Sequence, residues 1–116
     1  MAPIRAVTAL AWLTLSVTVA ASADKPLPHY DPDAWCNEVA RAGGEFSEVL
    51  HNQCMRMEQS AYDDLKPTWG GLPQSMQSWC DQIAKAGGKG SYTLLKQCVD
   101  MERNAAEQNK SRQFKY

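Results

Sequence analysis

The sequence predicts an all-α fold: two tandem disulfide-stapled helical hairpins forming a small four-helix domain. Three observations carry that expectation. The stretch from Trp35 to Tyr62 is written again from Trp79 to Ala106, with 13 of 28 aligned pairs identical at an offset of 44. Apolar residues recur at the three-to-four spacing of helices, and no alternating strand pattern occurs anywhere. Four cysteines fall at equivalent places in the two copies: Cys36 and Cys54, then Cys80 and Cys98. Self-similarity of this kind marks one supersecondary unit used twice, each copy too small to hide its apolar face alone.

Residues 1–23 differ in kind from the rest. Arg5 is their only charge, a largely apolar run follows, and Ala21-Ser22-Ala23 precedes Asp24. This reads as a signal peptide with cleavage after Ala23, favoured over an anchor helix because Thr8, Thr14, Ser16 and Thr18 interrupt the run. Removing 23 of the 116 residues leaves 93, with no transmembrane segment after leader removal. The charge of -1 and pI near 6.1 supply no basic footprint for a phosphate backbone, so nucleic acid is not expected as a partner.

Residues 24–30, with Pro26 and Pro28, read as an extended lead-in. The first hairpin spans 31–66. Asp31 stands as an N-cap ahead of Pro32, and Trp35, Cys36, Val39 and Ala40 share a face that Gly43-Gly44 closes. A second helix starts at Ser47 and carries Phe46, Val49, Leu50, Cys54, Met57 and Ala61 as its expected buried stripe, ending near Leu65 before Lys66-Pro67. Residues 67–72 form the linker. The second hairpin, 73–106, repeats the scheme: one helix with Met76, Trp79, Cys80, Ile83 and Ala84, and another after Ser91 with Leu94, Leu95, Cys98, Met101 and Ala105 on its face. A polar tail occupies 107–116.

An even cysteine count in a small exported chain reads as two disulfides. Four cysteines allow three connectivities. Cys36 lies six residues before Ala42 and Cys54 seven after Ser47, so both stand roughly 9 to 10 Å from the turn at 1.5 Å per residue. The second copy has the same registration, which predicts Cys36 with Cys54 and Cys80 with Cys98. A zinc site is disfavoured, because its ligands usually come in close pairs.

No nucleophile elbow, phosphate loop or dinucleotide fingerprint is present. His29 and His51 stand alone and read as surface residues. No cofactor is implied, and an enzyme is not expected. Trp35 and Trp79 are expected in the core, with an aromatic binding ledge as the alternative, and Met57 and Met101 are expected as core filler rather than copper ligands. Trp69, flanked by glycines in the linker, is a candidate binding-surface residue, with burial over the junction between hairpins an equal alternative. Glu58 and Glu102 follow the repeated methionines. Surface charge is their favoured reading, and the alternative is a hard-cation site of the calcium or lanthanide class using them with Asp31, Asp33, Asp63 or Asp64.

The runs WCNEVARAGG and SYTLLKQCVDME resemble small exported proteobacterial proteins that carry a tryptophan-cysteine, double-glycine, cysteine, methionine-glutamate unit once or several times. The resemblance implies compartment and fold rather than a reaction. The copies depart from one another at Glu45-Phe46-Ser47-Glu48 against Lys89-Gly90-Ser91-Tyr92. The resulting expectation is a periplasmic or secreted, non-enzymatic module whose partner is a protein or envelope component.

Overall fold

In a computed structural model the described residues are 25–116, with 2–4 and 16. The expected signal peptide at 1–23 lies almost entirely outside them. Four α-helices follow in order, α1 (Pro32–Ala40), α2 (Glu48–Leu65), α3 (Gln74–Ala84) and α4 (Tyr92–Ser111), with a 3-10 turn at Trp69–Gly71 in the linker. No strand occurs among the described residues. No helix there is long and apolar enough to cross a membrane.

The helix ends follow from local chemistry. The Asp31 carboxylate accepts from Ala34 N at 3.1 Å, while Ser47 and Ser91 each accept from the N–H three residues on, both at 3.2 Å. Gly44 and Gly88 take positive φ, +104° and +91°, where a Cβ would be strained, and so let each hairpin reverse. Helix α4 runs past the expected start of the polar tail, because residues 107–111 are mostly good helix formers. A Glu107–Lys110 pair at 2.8 Å adds to them.

Both predicted disulfides are present, Cys36–Cys54 and Cys80–Cys98, each with a Cα–Cα distance of 5.5 Å. Each bridge closes a loop worth about 3 kcal/mol in the chain-entropy account. Helix α1 packs on α2 and α3 on α4, and the two hairpins meet along α2 and α4.

The core is lopsided. It gathers Leu95, Val99, Tyr92, Ala84 and the Cys80–Cys98 bridge from the second hairpin, but only Ala61 and Leu65 from the first. Trp69 is buried in this core, 3% exposed, not displayed as a binding residue. The cause is the lead-in, which crosses the junction rather than hanging free. Its Lys25 carbonyl accepts the Trp69 indole N–H at 2.9 Å, and Gln77 Nε2 donates to the Trp69 carbonyl at 2.7 Å.

Further along the lead-in, the Tyr92 hydroxyl donates to the Pro28 carbonyl and accepts from Tyr30 N, both at 2.8 Å. The Tyr30 hydroxyl donates to Asp81 at 2.6 Å. Burial, reinforced by the Asp81 carboxylate, pushes the Tyr30 phenol far above its ordinary value near about 10. Burial also raises Tyr92. The Tyr30 ring lies so close to Gly90 that a Cβ there would come within 2.1 Å of it, which is why the second turn carries glycine where the first carries Phe46.

Candidate functional site

The buried stripe of α2 is Cys54, Glu58, Ala61 and Leu65, one helical step round from the expected stripe. Val49 is 75% exposed and Met57 52%, so neither fills the core. The second copy behaves alike: Trp79, Ile83 and Met101 are exposed, while Cys98 and Val99 are buried. The expected core roles of Met57, Met101 and Trp79 are therefore corrected, and Trp35 is only half-buried. These residues flank the two bridges on the outside instead of filling the space between hairpins.

Glu58, expected as a surface charge or a cation ligand, is neither. It is 1% exposed, and its carboxylate caps the start of α4. Oε1 accepts from the Ser91 hydroxyl at 2.7 Å and from Thr93 N at 3.2 Å, and Oε2 accepts from Tyr92 N at 2.7 Å. A helix start presents N–H groups that lack intrahelical partners and carries a partial positive charge, so a carboxylate there is doubly favoured. With Ser91 taking Leu94 N, the first turn of α4 is fully partnered.

Glu102, the equivalent of Glu58, is exposed and caps nothing. The start of α2 is open in the matching way. Ser47 takes Leu50 N, and the N–H groups of Glu48 and Val49, equivalent to Tyr92 and Thr93, are first-turn donors with no partner among the described residues.

Around these two glutamates lie two grooves of the same design. The first, about 220 Å³, is lined by Trp35, Val39, Leu50, Gln53, Cys54, Met57 and Glu58, and its remaining wall is Ser91, Thr93 and Leu94 from the second copy. The other, about 250 Å³, is lined by Trp79, Ile83, Leu94, Gln97, Cys98, Met101 and Glu102. Each of these seven stands 44 positions after its counterpart. In the second groove nothing among the described residues takes the place of the Ser91–Leu94 wall. The grooves are apolar, with one carboxylate at the edge.

The other candidate residues do not converge. Asp31 is occupied as an N-cap, and Asp33 lies 3.3 Å from His51 Nε2. Asp63 accepts from Gln59 at 3.0 Å and pairs with Lys66 at 3.6 Å. Asp64 is exposed, as is Glu102, and His29 is on the surface. Among the described residues no three acidic, histidine or cysteine side chains gather into a group that could hold a metal ion. Glu58 already spends both carboxylate oxygens on α4.

In comparisons with protein-family models, curated proteins and solved structures, none matches the chain. What the fold defines is a class: an all-α domain stapled by two disulfides. Those bonds, with no membrane-crossing helix among the described residues, fit an extracellular or secreted protein.

Proposed function

We infer that the chain is a small exported, non-enzymatic binding module, working in the periplasm or outside the cell, whose binding face is the open groove of its second copy. The observation that carries this reading is the pair of equivalent grooves, one walled by the start of α4 and the other bare. The walled groove is the guide to what the bare one takes: the start of a helix with a hydroxyl residue at its N-cap, whose first N–H groups meet the Glu102 carboxylate beside Trp79 and Met101. Such a contact needs a rigid backbone on the receiving side, and the Cys80–Cys98 bridge beneath the groove provides it. The resemblance to exported proteobacterial proteins supports the same compartment.

Radical footprinting tests this reading. Trp79 and Met101 are expected to be modified more slowly in intact cell envelopes than in dilute purified protein, while exposed Phe114 is modified equally in both. Equal labelling of Trp79 and Met101 in the two preparations would remove the groove as a binding face.

A further inference from the structure

We propose that the partner of the open groove is a second copy of this chain, joined head to tail, so that Glu102 of one molecule caps the start of α2 in the next. The proposal rests on the binding reading above and names its partner.

The contact already exists once within the chain, and every part that makes its polar half is present again, unused, at the two outer ends. At one end are Glu102 and the apolar groove beside it. At the other are Ser47, whose hydroxyl proton is not donated to any described group, and the unpartnered N–H groups of Glu48 and Val49. Moving the intrachain contact by one repeat puts Ser47 where Ser91 is, Val49 where Thr93 is and Leu50 where Leu94 is. The end surfaces themselves argue for continuation. The outer groove leaves Trp79, Ile83 and Met101 51%, 41% and 72% exposed, whereas at the inner groove Trp35 and Val39 are half-buried and Met57 is 52% exposed. Val49 gains a purpose in the same step. It is 75% exposed at a helix start where the second copy has threonine, and in the joined pair it covers Met101 of the neighbour.

Not all of the internal contact is repeated. Tyr62 corresponds to Ala106, Leu65 to Asn109 and Tyr92 to Glu48, so the aromatic half is lost and one carboxylate faces another. The internal contact also has the benefit of a short linker, equivalent to a millimolar effective concentration. The intermolecular version is therefore weak, with a dissociation constant of roughly 0.1 to 1 mM. Because the two contacting surfaces differ, the assembly does not close at two molecules but grows into rings or open chains.

Sedimentation of the exported protein, from about 10 µM to about 2 mM, provides the test. The average mass should rise with concentration and pass the dimer. Val49→Asp and Met101→Asp each spoil one end, at positions too exposed to affect folding, and each alone should stay monomeric. Mixed together they should form a one-to-one dimer and stop there, since each retains the end the other lacks. Glu48→Tyr should tighten association several-fold. A monomer at every concentration, or a mixture no more associated than its parts, would overturn the proposal. If the purified protein stays monomeric while Trp79 and Met101 remain protected in envelopes, the second copy is excluded and the binding reading stands. If neither is seen, both fail.

Discussion

The starts of α2 and α4 have the same serine cap, the same distance to a cysteine and the same positive-φ glycine before them, yet one is open and the other is buried under a glutamate. The difference lies in what the neighbouring copy offers. Helix α4 is preceded by Gly90, which admits the Tyr30 ring, and continues with Tyr92, Leu95 and Val99 facing the first hairpin. At the matching positions α2 has Phe46, Glu48, His51 and Met55, which face no second core. A repeated unit thus keeps its staple, caps and groove in both places, while the residues between the copies are free to diverge. Identical glutamates then do unlike work, Glu58 in the core and Glu102 on the surface.

The comparison can be broken first where the copies diverge most. Leu95→Ala empties a fully buried site and should cost about 3 to 4 kcal/mol in denaturant unfolding. The matching His51→Ala should cost under about 1 kcal/mol. Equal losses would mean that the core is not lopsided.

Removing either bridge by paired serine substitution should cost about 3 kcal/mol, with Cys80–Cys98 the more damaging because only that bridge belongs to the main core. Calorimetry of the two variants checks the order. Glu58→Gln should cost about 2 kcal/mol, from weakened charge-assisted bonds and the lost carboxylate at a helix start. Glu102→Gln should stay within about 0.5 kcal/mol in dilute solution.

A further effect is expected at alkaline pH. Tyr30 and Tyr92 hold their protons more tightly folded than unfolded, so they favour the folded state fully below their ordinary value near about 10. That contribution declines as pH rises above it, because the unfolded chain then releases protons the folded chain keeps. Absorbance titration should find the Tyr30 and Tyr92 phenols ionising above the ordinary tyrosine value.

Helix number, caps, turn glycines and disulfide pairing were legible in the sequence because each depends on residues close together or on the registration of one hairpin. The buried face was not. Met57 and Glu58 are adjacent, about 100° apart round the helix, and both choices give a plausible stripe. Cys54, Glu58, Ala61 and Leu65 is itself a helical stripe, and a glutamate repeated within such a stripe was the available signal. Two of its three partners, however, are backbone N–H groups of Tyr92 and Thr93, which have no residue signature, and the third is the hydroxyl of Ser91, read from the sequence only as an N-cap. Burial and display of Trp69 were equal readings for the same reason, since its indole is satisfied by the backbone carbonyl of Lys25. The lead-in around Pro26 and Pro28 lacks any apolar period, yet Tyr30 makes it part of the core.

Amide hydrogen exchange at four equivalent positions separates the two helix starts. In dilute protein the N–H groups of Tyr92 and Thr93, held by Glu58, should exchange at least about a hundredfold more slowly than those of Glu48 and Val49. At millimolar concentration the latter pair should slow as well, as Glu102 of a neighbouring molecule reaches them. Four amides exchanging at one rate in dilute protein would contradict the account at its root.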